Sequence, residues 1–311
     1  MKELFYKLPF QHGIKEMEIE SERKEVFNQE GEGFSFLQYP VSPDKPVLHF
    51  AHANGFNAFT YDEFLKLLSL EFSVYAMDAR GHGYTNAKAD PSQFTSWDPY
   101  YQDLVNFLET IPHPAFLSGH SLGAAISLFV AASHPQLVKG LVLIEPVIPR
   151  GLFSFIIQIL QILRMSHKIP IAQKAMRRKA YFHSMQEAAL YYEGRRIFSK
   201  WEKIWIENYL AGGTETKSDG CLSLTCSPAW ESKTFSVTNA HSWDIIDQVE
   251  CPILLIHGGE SRIFQLCDVA AFKKRLPATT VIKNRNASHF VPMEFPQETA
   301  EQIAQFCLEI Q

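Results

Sequence analysis

Several common features are missing from this 311-residue chain. No stretch reaches the ~18 apolar residues that a membrane-spanning helix needs. The longest apolar run, GLFSFIIQILQIL at 151–163, stops at Arg164. The N-terminal MKELFYKLPFQHGIKEMEIE is too interrupted for a signal-peptide core. Basic excess is absent: 29 Lys+Arg stand against 34 Asp+Glu, a net charge of -5, which argues against a nucleic-acid partner. The five cysteines, Cys221, Cys226, Cys251, Cys267 and Cys307, form no CxxC pair and no metal-type spacing with histidine. Reduced thiols in a cytoplasmic protein are therefore expected. There is no internal repeat, no low-complexity tract, no glycine-rich phosphate loop and no dinucleotide fingerprint. The expectation is a cytoplasmic protein with no cofactor, no metal and no stable membrane insertion. Its oligomeric state stays open.

What is present is the balance of an ordinary globular protein, 46% hydrophobic and 20% charged residues. The apolar runs 46–52, 72–78, 113–120 and 137–146 alternate with helical patterns at 60–70, 97–111 and beyond Ser121. Near-continuous apolar runs separated by helices predict parallel βαβ units covered on both faces. The rhythm stops from Val147 to about Val249, where helical patterns fall at 151–163, 170–180, 185–193 and 197–210. A Gly-rich stretch and an irregular segment follow them. The rhythm then resumes with strands at 251–259 and 279–284 and helices near 265–275 and 296–310. An excursion of roughly a hundred residues is too long for a loop in a compact domain. It predicts a helical cap at 147–249 over one end of a core made from 1–146 and 250–311.

The polar residues of 151–163, namely Ser154, Gln158 and Gln161, share one narrow face, and the rest is Leu, Phe and Ile. Such a helix is expected to pack against the sheet domain, or else to line an apolar pocket or lid.

One motif carries chemistry. Gly119-His120-Ser121-Leu122-Gly123 lies where a strand should become a helix. A tight turn there forces the serine into a strained conformation and pushes its side chain above the sheet edge. It also requires small residues two positions before and after. The helix N-terminus behind it points free N–H groups at whatever the serine attacks.

With GHSLG, the turn AHANGF (51–56), MDARGHGYT (77–85), HGGES (257–261) and NASHFVPMEFP (286–296), the chain resembles the α/β-hydrolase superfamily in its capped form. The resemblance implies a mostly parallel twisted sheet flanked by helices. It makes Ser121 the nucleophile and His289, between the last strand and the last helix, the base. The family usually carries its acid where this chain has Ser261. Two carboxylates remain: Glu145 at the end of LVLIE, which is favoured, and Glu260. Pro146 is expected to hold Glu145 extended. The oxyanion donors implied are the backbone N–H groups of Leu122 and Asn54. Asp78 and Arg80 are read as structural.

A serine at the elbow excludes relatives that need a carboxylate there. The expected reaction is cleavage of a carboxylic ester, lactone or thioester through an acyl-enzyme. The aromatics Phe153, Phe155, Trp201 and Trp205 suggest an apolar acyl or alcohol group, or else the cap's own small core. The alternatives are a carbon–carbon bond hydrolase of β-diketone type and a non-catalytic ligand-binding protein on the same fold.

Overall fold

The computed structural model describes residues 19–195, 197–239 and 241–310. The N-terminal stretch read above for a leader sequence lies largely outside the described residues, as does the Phe153 side chain. Before the insertion the strands are β1 (Glu22–Phe27), β2 (Gly33–Gln38), β3 (Val47–Ala51), β4 (Ser73–Met77), β5 (Ala115–His120) and β6 (Val138–Ile144). Within it lie β7 (Tyr181–Phe182), β8 (Thr214–Thr216) and β9 (Leu222–Leu224). After it come β10 (Ile253–Gly258) and β11 (Thr280–Asn284). The core helices ahead of the insertion are α1 (Asp62–Leu68), α2 (Asp98–Leu108) and α3 (Leu122–Ser133). The insertion holds α4 (Gly151–Ile162), α5 (Pro170–Met176), α6 (Met185–Tyr192), α7 (Lys203–Gly213), α8 (Pro228–Ser236) and α9 (Ser242–Ile245). The chain ends with α10 (Leu266–Arg275), α11 (Val291–Glu294) and α12 (Pro296–Glu309).

Eight strands form one sheet in the order β1-β2-β4-β3-β5-β6-β10-β11. The six apolar runs read from the sequence are its parallel strands, and β2 alone runs against its neighbours. Alternate side chains of each buried strand enter opposite cores. Leu117, Leu141 and Leu255 join α2 and α3 on one face; Phe116, Val142 and Ile256 join α1 and α12 on the other. Each such fully buried aliphatic side chain contributes ~2 kcal/mol of transfer free energy. The run Ala124-Ala125 at the start of α3 is wholly buried and lets this helix sit close to the sheet.

The insertion differs in detail from the sequence reading. The segment read as irregular contains β9 and α8, and β7, β9 and β8 form a three-stranded antiparallel sheet. The helix placed at 197–210 begins only at Lys203. Helix α8 is bound to the core: Trp97 Nε1 donates to the Thr234 carbonyl at 3.0 Å, and Trp230 Nε1 to the Arg80 carbonyl at 3.0 Å. Helix α4 is turned the opposite way from expectation. Ser154 and Ile157 face inward, and Gln161 Nε2 donates to the Thr238 carbonyl at 2.9 Å. Most of its large apolar side chains point to solvent, so they neither pack on the sheet nor line an internal pocket.

Candidate active site

The C-terminal ends of β5, β6 and β10 meet at one edge of the sheet, where ligands of open α/β sheets bind. Ser121 follows β5 directly with φ 57° and caps α3. Positive φ costs a residue with a Cβ on the order of 1–3 kcal/mol, so the surroundings must hold it. They do: Ser121 N–H donates to the Ile144 carbonyl at 3.0 Å, and the Ser121 carbonyl accepts from Val147 N–H at 3.3 Å. The flanking glycines are steric necessities. A Cβ on Gly119 would lie 2.4 Å from the Gly123 carbonyl carbon, and one on Gly123 2.1 Å from the Ala51 oxygen. The second contact brings the turn after β3 against the elbow. The backbone N–H groups of Asn54 and Leu122 have no hydrogen-bond partner among the described residues.

Glu145 follows β6 and is fully buried. Its φ is 50°, so Pro146 does not hold it extended. The chain leaves the strand through a left-handed residue, which swings the carboxylate across toward β10. There Oε1 accepts from Gly258 N–H at 2.7 Å, and Oε2 accepts from the Ser261 hydroxyl at 2.5 Å. Oε2 also lies 3.0 Å from His289 Nδ1. The other candidate, Glu260, is exposed and pairs with Lys200 at 2.8 Å. With Nδ1 engaged by Glu145, the second ring nitrogen of His289 is left for proton transfer.

Sequence reasoning assigned His120 no role of its own. In the structure its Nε2 lies 2.8 Å from the His289 carbonyl, and its Nδ1 2.7 Å from the Tyr61 hydroxyl. That hydroxyl accepts from Ala53 N–H at 3.2 Å. One fully buried imidazole thus links the Ser121 turn, the His289 loop and the turn after β3. Burial, with His289 alongside, pushes its pKa well below the ordinary value, so it stays neutral and donates through Nε2 only. Ser261 and Tyr61 were also missed. For Ser261 the signal was its place at the family's usual acid position; for Tyr61 there was none.

Asp78 and Arg80 sit in structural networks. Asp78 accepts from Ala58 N–H and Tyr84 N–H, and Arg80 pairs with Asp103 and Glu32. Over the turn after β3 the insertion places Trp201, whose ring centre is 5.6 Å from both Phe56 and Phe290. Trp205 is buried, and Phe155 faces solvent. Arg178 Nη1 pairs with Glu231 at 3.0 Å, beside Gly55. Arg178 Nε and Trp201 Nε1 are buried without hydrogen-bond partners among the described residues, and the buried Tyr192 and Tyr209 hydroxyls lie against one another. No group of side chains suited to a metal ion occurs among those residues.

A strained serine on a strand–helix turn at the edge of a mostly parallel sheet, its neighbour His120 hydrogen-bonded to the loop of a carboxylate–histidine pair, defines an α/β-hydrolase architecture. The model of the Alpha/beta hydrolase family matches residues 50–302, and the chain belongs to that family. Among curated proteins it is 24% identical to the 2-(acetamidomethylene)succinate hydrolase of Mesorhizobium japonicum, over 84% of this chain and 87% of that one. It is 32% identical to the monoglyceride lipase of Mus musculus, over 40% of this chain and only 42% of that enzyme's length. Among solved structures, E-2-(acetamidomethylene)succinate hydrolase superposes with a TM-score of 0.74 at 21% identity, covering 92% of this chain and 99% of that one. An M. tuberculosis esterase gives 0.70 at 21%, covering 93% and 91%. At these identities the superpositions speak for the fold.

Proposed function

We propose that this protein is a cytoplasmic serine hydrolase that cleaves a carboxylic ester, lactone or thioester of a small molecule. The observation that carries the reading is the 3.0 Å contact between Glu145 Oε2 and His289 Nδ1, joining residues 144 apart, with His120 next to the strained Ser121 bonded to the His289 carbonyl. Ser121 Oγ attacks the carbonyl carbon while His289 Nε2 takes its proton, and Glu145 stabilises the imidazolium. The Asn54 and Leu122 N–H groups donate hydrogen bonds to the oxyanion. His289 returns the proton to the leaving alkoxide, and water, activated by the same ring, releases the acid. Residues 147–249 act as the cap, and its Trp201, packed on Phe56 and Phe290 of the core, suits an apolar portion of the substrate. The cysteines, all unpaired, fit a reducing compartment.

Labelling with a fluorophosphonate probe tests the reaction. Wild type reacts and Ser121→Ala does not. A folded wild type that fails to label is instead a ligand-binding protein on a hydrolase fold. An ester panel run beside a vinylogous diketone separates ester from carbon–carbon cleavage.

A second reading concerns the substrate. Arg178 Nε and Trp201 Nε1 are buried within the insertion without hydrogen-bond partners among the described residues, and the relative aligned over most of the chain is named for a succinate derivative. Both favour a substrate that carries a carboxylate. A nitrophenyl hemisuccinate should then be preferred to the matching butyrate, and Arg178→Met should erase that preference while sparing butyrate turnover. Equal use of both esters by wild type removes this reading.

A further inference from the structure

Helix α4 is built inside out. Its polar residues are spent inward, as described above, while Leu152, Phe155, Ile156, Ile159, Ile162 and Leu163 face water. Their spacing is that of a single helical face running the full length of α4. Leu152 is 73% exposed and Ile162 79%, more than a scattered surface residue needs. Helix α5 adds exposed Ile171 and Met176.

A second, independent feature is charge. Residues 146–186 carry seven Lys and Arg and no Asp or Glu, in a chain whose net charge is -5. Arg150, Arg178 and Lys179 pair with carboxylates outside that segment. Arg164, Lys168, Lys174 and Arg177 are exposed and form no ion pair among the described residues. An apolar helical face with basic residues beside it is the pattern that lies in the interface plane of a bilayer and is drawn to anionic headgroups. A second copy of this chain is a poor occupant, because a two-fold contact would press one uncompensated basic segment against another.

We propose that the outer face of α4, with the basic segment that follows it, docks the protein on an anionic lipid bilayer. The contact is peripheral: no helix among the described residues is long and apolar enough to cross a membrane. The proposal rests on this surface alone and stands apart from the catalytic reading.

Co-sedimentation of the full chain with vesicles tests it, using phosphatidylcholine alone or with about one third phosphatidylglycerol. Wild type should partition at least ~10-fold more strongly to the anionic vesicles, and high salt should weaken the effect. The exposed-site variants Phe155→Glu/Ile162→Glu and Arg164→Glu/Lys168→Glu should each lose ~10-fold or more while keeping the wild-type melting curve. Partitioning that ignores both lipid charge and these variants overturns the proposal. So does a wild-type dimer that the apolar-face variant disperses and that ignores vesicles.

Discussion

The Ser261 hydroxyl donates a 2.5 Å hydrogen bond to the same Glu145 oxygen that faces His289. The position at which the family usually carries its acid is here a donor to a carboxylate that follows a different strand. Burial of Glu145 is offset by that hydroxyl and by Gly258 N–H, and three partners fix the carboxylate's orientation.

The two glutamates should therefore behave very differently. Glu145→Gln should lower kcat by ~10³–10⁴, as expected when the group orienting a catalytic imidazole is neutralised. Glu260→Gln removes a solvent-exposed pair with Lys200 and should change turnover less than ~2-fold. Steady-state kinetics on one activated ester decides the matter, and a reversed order would move the acid to the β10 loop.

The same geometry makes the acid transplantable. Ser261→Asp in a Glu145→Ala background sets a carboxylate within reach of the histidine from the β10 side. The double variant should recover at least ~10-fold of the activity lost in Glu145→Ala. No recovery in a folded double variant would show that the β10 loop cannot present an acid here.

His120 is expected to act by positioning. In His120→Phe the His289 carbonyl and the Tyr61 hydroxyl lose their buried partner, at a cost of ~1–3 kcal/mol each. Tyr61→Phe cuts only the oxyanion-loop branch. Both variants should slow labelling of Ser121 and lower kcat by ~10-fold or more, with little change in KM. Loss of stability with an unchanged labelling rate per folded molecule would make the network purely structural.

Buried histidines set the acid limit of stability. Burial depresses His49 and His82 to about 3, and His120 well below its usual value. The folded state refuses protons that the unfolded chain takes up below ~6.5, so stability falls as pH drops from there toward 3. At pH 5 each fully depressed histidine costs about 2 kcal/mol relative to neutral pH. Asp103, raised by burial to about 6, works in the opposite sense between ~3.9 and 6 and offsets part of the loss. Urea midpoints at pH 7 and pH 5 should show the decline, and His49→Leu should reduce its slope. A midpoint independent of pH would contradict the account.

The parallel core was legible because a strand buried on both faces must be apolar throughout, as LVLI and ILLI are. Strand β1, ERKEVF at the open edge, has no such pattern and was not foreseen. The short hairpin of β8 and β9 escaped for the same reason. The elbow was legible because Gly119 answers to a clash within the turn itself. The choice between Glu145 and Glu260 was not, since it hangs on one left-handed residue that aims a side chain between strands far apart in sequence.

Local constraints written in the sequence determined the alternating βα order, the place of the long insertion and the small residues around Ser121. Backbone sterics and burial periodicity act over a few residues and leave a readable trace. Tertiary structure alone decided which carboxylate meets His289, that His120 joins three loops, and that α4 turns its apolar face outward. The polar stripe of α4 is plain in the sequence, but its direction depends on a partner. The fold brings the Thr238 carbonyl to Gln161, and that long-range hydrogen bond decides which face looks in.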